Sequence, residues 1–429
     1  MRRRVVITGM GSVTPLGLTV EETWQNLLAC KSGIRPNRVF DASTFPTTFA
    51  AQVPEFDIAR YVKNAADFAK SGRNVRFAAA AARMALEDAH LAAGMFDPTR
   101  TGIYLGSGEG TLDFFTLCES IAHGTGEDGK VSAAKFAEMG LKRYDGLQEL
   151  EQEPNMAANH LAAECGIAGP TYSCLTACAA STQAIGEATD LLRTGELDVM
   201  MAGGTHSMIH PLGVTGFNLL TAISTEHKDE PWRASRPFDK DRAGFVLGEG
   251  STIMILETLD HANAHGAKIW AELIGFGSSA DAYRMTDIHP EGRGPSAAMR
   301  LALADASVKP EDIDYISAHG TGTTENDKVE TLSVKLVFGA HAYKVPMSSV
   351  KSTLGHLIAA AGATELMTCI MAIRDQMLPP TMNLETPDPE CDLDYVPNAA
   401  RKAKVEVCLS NSFGFGGQND SLVVRRFVP

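Results

Sequence analysis

One short pattern occurs twice in this chain, and that repetition limits its fold more than any other feature. Val5-Val-Ile-Thr-Gly-Met-Gly-Ser has a counterpart in Ala271-Glu-Leu-Ile-Gly-Phe-Gly-Ser. Met84-Ala-Leu-Glu-Asp-Ala precedes Ile103-Tyr-Leu-Gly-Ser-Gly, as Leu301-Ala-Leu-Ala-Asp-Ala precedes Tyr315-Ile-Ser-Ala-His-Gly. Strand, helix, strand and small-residue loop therefore recur in one order. Strand-like runs at 4–8, 102–105 and 199–202 alternate with helical runs at 78–93 and 179–194, an α/β pattern. Loops of Gly, Ser and Thr follow the strands at 106–110, 203–205, 320–323 and 414–417. Two like halves, 1–257 and 258–429, would bring such loops to a shared centre. The first half is longer, with extra segments near 111–168 and 206–245.

Several functions are excluded early. No apolar run approaches the ~20 residues of a membrane span. The opening Met-Arg-Arg-Arg looks like an export signal, but the apolar run after it stops at Ile7, short of the ~7–15 residues required. It reads as a first strand. A net charge of −14 opposes general nucleic-acid binding, so an acidic partner needs a local basic patch. Eight cysteines are scattered without a Cys-x-x-Cys pair, which suggests free thiols in a reducing cytoplasm and no zinc motif. Gly9-Met-Gly-Ser-Val-Thr puts Thr14 where a dinucleotide loop needs glycine, and Gly124-Thr-Gly-Glu-Asp-Gly-Lys-Val puts Val131 where a phosphate loop needs Ser or Thr.

The chemistry centres on Gly169 to Gly186. This stretch reads as a short buried strand, a tight small-residue turn holding Cys178, and a helix. A thiol at a helix N-terminus meets unpaired N–H groups and the positive end of the dipole, which predicts a pKa below the usual ~8.5. Thr176, Ala177, Ala179 and Ala180 leave room for a chain to reach the sulfur. His319 ends a strand and opens His-Gly-Thr-Gly-Thr. His356 closes Lys351-Ser-Thr-Leu-Gly-His, ahead of a helix to about 376. Each histidine stands beside glycine at the end of an element.

With Arg236-Pro-Phe-Asp-Lys-Asp-Arg-Ala-Gly-Phe-Val-Leu-Gly-Glu-Gly and Asn411-Ser-Phe-Gly-Phe-Gly-Gly, these motifs resemble the β-ketoacyl-acyl carrier protein synthases of the elongating type, most closely synthase II. The resemblance covers essentially the whole chain. It implies a duplicated, thiolase-like five-layer αβαβα fold, a cytoplasmic homodimer, and an acyl carrier protein as partner, with no cofactor and no metal. The implied reaction is a decarboxylating Claisen condensation that extends an acyl chain on Cys178 with malonyl-carrier protein. An enolate needs donors aimed at its oxygen, and neutral imidazoles supply them. The resemblance gives that task to His319 and His356, with Lys351 biasing their charge and Glu365 near Lys351. It assigns the oxyanion to the N–H groups of Cys178 and Phe415. It further implies that Phe413 and Phe415 gate acyl entry and that Thr321 and Thr323 hold the pantetheine arm.

Lys63, Lys70, Arg73 and Arg76 lead into a helix, either as a solvated face or as a docking patch for an acidic carrier. The match departs from the family pattern in three places. Arg284 replaces a common histidine, the segment 124–154 is longer and more charged, and Glu226-His-Lys-Asp-Glu is unusually acidic. Three rivals stand beside the main reading. A ketosynthase of a polyketide or specialised-lipid pathway shares its chemistry. A non-catalytic chain-length subunit would lack Cys178, and a thiolase would use a second cysteine in place of the second histidine.

Overall fold

The computed structural model describes residues 2–92, 94–108, 110 and 112–429. Met1, Ala93 at the end of the expected helical run and Glu109 of the loop at 106–110 lie outside the described residues. Ten strands form the main sheet. They are β1 (Val5–Val13), β2 (Thr101–Ser107), β3 (Thr171–Cys174), β4 (Val199–His206) and β5 (Gly250–Thr258), then β6 (Ala271–Ala280), β7 (Tyr315–Ser317), β8 (Met347–Ser348), β9 (Val407–Gly414) and β10 (Gln418–Arg425). Their spatial order is β8-β7-β9-β10-β6-β1-β5-β4-β2-β3. From the centre outward, 1-5-4-2-3 on one side mirrors 6-10-9-7-8 on the other. Strand directions match as well. The inner pairs are antiparallel, while β4 with β2 and β9 with β7 are parallel. β1 and β6 join the halves through three residue pairs, Val5–Ile7 with Ala271–Leu273.

Helix α1 (Arg73–Asp88) packs on β1 and β5, and α3 (Arg293–Ala306) packs on β6 and β10. Between the two half-sheets lie α2 (Ala180–Thr194) and α5 (Ala361–Asp375), each touching strands of both halves. The result is five layers. α5 is buried without a break from Ala361 to Ile373, as a helix sandwiched between sheets must be. Helix α4 (Thr324–Phe338) follows the His319 loop and packs beside α3.

The layering explains the glycines that imitate a nucleotide loop. A Cβ on Gly9 or Gly11 would meet the carbonyl oxygens of Ala85 and Ala81 in α1 at 2.1 and 2.0 Å. A Cβ on Gly275 or Gly277 would meet those of Ala302 and Ala298 in α3 at 2.3 and 2.2 Å. Gly-x-Gly here lets an alanine-rich helix lie directly on a strand, once in each half. For the same reason β2 and β4 run on through glycines that read as loop, ending at Ser107 and His206. Another departure from the sequence reading is β3, whose residues Thr171 and Tyr172 are exposed because β3 is the sheet's outer edge. The long segment before it folds into helices Phe114–Gly124, Ala133–Arg143 and Gly146–Leu150.

Candidate active site

Cys178 sits in a single 3-10 turn, Ala177–Ala179, and the α-helix proper begins at Ala180. Ala177 holds φ at +48°, a strained value for a residue with a Cβ, directly before the buried Cys178. Ile358, ahead of α5, repeats the strain at +46° in the other half. The strand end Gly414 closes over the turn. A Cβ there would lie 2.8 Å from the Thr176 carbonyl oxygen and 3.2 Å from the Cys178 nitrogen, so only glycine allows the approach.

The three groups singled out from sequence converge. A ring nitrogen of His319, a ring nitrogen of His356 and Cys178 Sγ all lie within 4.8 Å of one another. His356 Nε2 is 3.0 Å from Sγ. The two imidazoles stand edge to face, with centroids 5.5 Å apart. All three residues are buried.

The proton on each ring follows from its neighbours. Ile358 donates its backbone N–H to His356 Nδ1 at 3.2 Å, so Nδ1 accepts and Nε2 carries the hydrogen. His319 Nδ1 faces the Lys351 ammonium at 3.4 Å. An ammonium only donates, so His319 also carries its proton on Nε2. Lys351 further donates to the His319 carbonyl at 2.5 Å and pairs with Glu365. Both histidines are held well below the ordinary imidazole value, first by burial and next by Lys351. The site thus presents two neutral N–H donors, the arrangement an enolate oxygen requires.

The sulfur differs from the sequence expectation. Burial pushes the Cys178 thiol up to about 11, although Lys351 and the N–H groups of Phe415 and Cys178 pull it down. One short turn of 3-10 helix does not offset full desolvation. Glu365 is buried beside Lys351, and burial raises it to about 7.

Two cavities meet at the sulfur. A space of about 280 Å³ is lined by Cys178, His319, His356, Thr321, Thr323 and Phe413. A larger one, about 1090 Å³, is lined by Cys178, Leu175, Leu212, Phe217 and Ile358. Phe415 lines both. Phe413 packs on His319, with centroids 5.7 Å apart. The hydroxyls of Thr321 and Thr323 lie 2.9 Å apart at the smaller cavity.

The basic cluster does not form one free face. Lys63 and Lys70 are exposed, and Lys70 pairs with Asp145. Arg73 is committed to buried Glu249, with Nε 3.0 Å from Oε2, and Arg76 donates to the carbonyls of Phe68 and Ala69. Arg284 projects outward and pairs with Asp287.

Sequence reasoning missed four residues around the site. Glu330 on α4 accepts the backbone N–H of His319 at 2.8 Å and of Gly320 at 2.7 Å, which fixes the loop; burial raises it to about 7. The signal was the placement of Asp327, Glu330 and Thr331 on one buried face of α4. Val246, in the long arginine-led motif, accepts the His356 N–H at 2.7 Å, and Phe245 packs its ring on the imidazole. His206, at the end of β4, lines the larger cavity, and burial lowers it to about 3.

Comparison with known proteins agrees with this geometry. Two family models match, the β-ketoacyl synthase N-terminal domain over residues 2–262 and the C-terminal domain over residues 270–385. The chain is 44% identical to 3-oxoacyl-[acyl-carrier-protein] synthase 2 of Coxiella burnetii and 41% identical to that of Synechocystis, covering 99% of both sequences in each case. Among solved structures, a β-ketoacyl synthase from Burkholderia phymatum superposes with a TM-score of 0.87 at 34% identity, covering 99% of this chain and 100% of that one. The ishigamide ketosynthase/chain length factor gives 0.89 at 34%, covering 100% of both. A thiol and two neutral imidazoles from opposite halves of a duplicated sheet, together with full-length matches of this kind, have one common explanation: the chain belongs to the β-ketoacyl synthase family.

Proposed function

We propose that this enzyme condenses an acyl chain carried on Cys178 with malonyl-acyl carrier protein, releasing CO2 and giving 3-oxoacyl-acyl carrier protein, as in fatty acid chain elongation. The meeting of Cys178 Sγ with two Nε2–H donors carries the reading. In loading, Sγ attacks the acyl thioester, the bond to the carrier sulfur breaks, and the Cys178 proton ends on the departing thiol. Malonyl thioester then enters through the smaller cavity, its arm beside Thr321 and Thr323. The bond to its carboxylate breaks, CO2 leaves, and the electron pair becomes an enolate held by His319 and His356. The enolate carbon attacks the acyl carbonyl, and the N–H groups of Cys178 and Phe415 hold the oxyanion. Collapse expels the Cys178 sulfur as a thiolate, which takes up a proton from solvent to restore the thiol. Burial and the Lys351 ammonium keep both rings neutral, Glu365 anchors that ammonium, Phe413 and Phe415 gate the passage, and the larger cavity houses the acyl chain.

Two neutral donors lose nothing as the solution acidifies. Malonyl decarboxylation should therefore stay level from about pH 6 to 5, where Glu365 and Glu330, raised to about 7 by burial, are already mostly neutral and an ordinary imidazole of about 6.5 would lose most of its neutral form. A several-fold loss of rate across that interval would mean that an imidazole titrates during turnover.

The 1–257 half supplies the nucleophile and the 258–429 half the donors. A homodimer fits the open edge at β3, where Tyr172 and Leu175 are exposed. No helix among the described residues is long and apolar enough to cross a membrane, which is compatible with a cytoplasmic site of action. One structural relative is described as a ketosynthase in complex with an acyl carrier protein. For this chain we assign carrier docking to the 63–76 segment, through Lys63 and Lys70, with Arg73 and Arg76 holding its shape. The double variant K63E/K70E should raise the apparent KM for carrier substrates severalfold with kcat little changed. An unchanged KM would remove that surface. The product profile of the purified enzyme with its own carrier and malonyl donor tests the reaction itself. Chains two carbons longer than the primer support it, and free CoA products without CO2 release would refute it.

A further inference from the structure

A second cluster of ligating side chains lies where the two halves join. Glu257 is the next-to-last residue of β5, Thr258 caps the short helix Leu259–Ala264, and His265 ends that helix. His261 and His265 fall four residues apart, on one helical face. His261 Nδ1 is hydrogen-bonded to Glu257 Oε2, and His265 Nε2 lies 2.9 Å from the same oxygen. The three donor atoms all lie within 4.8 Å of one another. Thr8 of β1 donates its hydroxyl to the other carboxylate oxygen and fixes the group from behind. The carboxylate is fully buried, whereas the rings are 20% and 14% exposed, so the open side of the cluster faces water.

We propose that Glu257, His261 and His265 form a site for a divalent transition metal with zinc-like preferences. Two imidazole nitrogens and one carboxylate oxygen are a chelating set for such an ion, and water completes the tetrahedron. The nitrogen donors disfavour calcium and magnesium, which take mainly oxygen. Ligand bonds of about 2.0–2.2 Å put donor atoms roughly 3.3 Å apart in a tetrahedron. The 2.9 Å His265 contact therefore has to open by a few tenths of an ångström, and the shorter His261 contact by more. The ion would replace the hydrogen bonds to Oε2 and leave the Thr8 bond in place. It would tie the linker helix to β5 and β1, next to the three-pair contact that joins the half-sheets. In the competing arrangement the rings serve only as hydrogen-bond donors to a buried carboxylate, and no ion binds.

The test uses full-length protein carrying Cys178→Ala, so that the catalytic cluster lacks its sulfur. After treatment with a chelator it is titrated with Zn2+ by calorimetry and with Co2+ by visible absorption. One saturable site per chain is expected, with tetrahedral cobalt bands and no thiolate charge-transfer band. Zinc should raise the Tm. His261→Gln and His265→Gln should each weaken binding at least about tenfold and cancel the Tm rise. His123→Gln, an exposed histidine on the helix Phe114–Gly124, should change neither. Metal-free circular dichroism confirms that each variant is folded. Equal binding by the parent and both ligand variants, or no saturable binding at micromolar metal, would overturn the site. No step of the condensation uses this cluster, so that outcome leaves the catalytic reading intact.

Discussion

Cys178→Ala is expected to end acyl loading altogether. Intact-mass analysis after incubation with acyl-carrier donor should show only unmodified protein, and condensation should fall to background. Removing a nucleophile that works as part of a unit costs on the order of 10⁶ in rate. No other thiol replaces it. Cys174 sits 3.2 Å from the Ala180 carbonyl and is pushed up to about 12 by burial; Cys165 and Cys391 are raised as far for the same reason. Cys178 is also raised, but it alone has His356 Nε2–H at its sulfur and backbone N–H groups at the turn. An acylated Cys178→Ala protein would show that the nucleophile lies elsewhere.

Replacing either histidine by alanine is expected to lower malonyl decarboxylation by roughly 10²–10³, the usual effect of losing one oxyanion donor. The two variants should differ in loading. His356 touches the sulfur, so His356→Ala should slow acylation as well. His319 reaches Cys178 only across the shared space, and its side chain faces Lys351 and Phe413. His319→Ala should therefore load within a few-fold of the unsubstituted protein while losing decarboxylation. Single-turnover acylation measured beside CO2 release separates the two steps. Equal losses in both steps for both variants would mean that the rings act as one structural unit rather than as separate donors.

Much of this was legible because it interrupts a pattern. Cys178, His319 and His356 stand where a strand or helix period breaks beside small residues, and a duplicated chain brings such breaks together. The repeat was visible in Gly9-Met-Gly and Gly275-Phe-Gly, although its cause, helices α1 and α3 pressed onto glycine, required coordinates. What stayed hidden depends on side chains meeting across long sequence separations. Glu330 reads as one more charge in an acidic helix until it is seen holding the His319 loop. Arg73 reads as part of a surface cluster until Glu249, far along the chain, claims it. The Cys178 thiol reads as activated by a helix start, because burial is a property of the whole fold and leaves little trace in local sequence.

The most direct test asks whether the donors work without the nucleophile. Cys178→Gln leaves both imidazoles, Lys351 and Glu365 in place and fills the acyl position with an amide. Release of labelled CO2 from malonyl-carrier protein by this variant should equal or exceed that of the unsubstituted enzyme in the absence of primer. A folded Cys178→Gln protein that releases no CO2 would contradict the account.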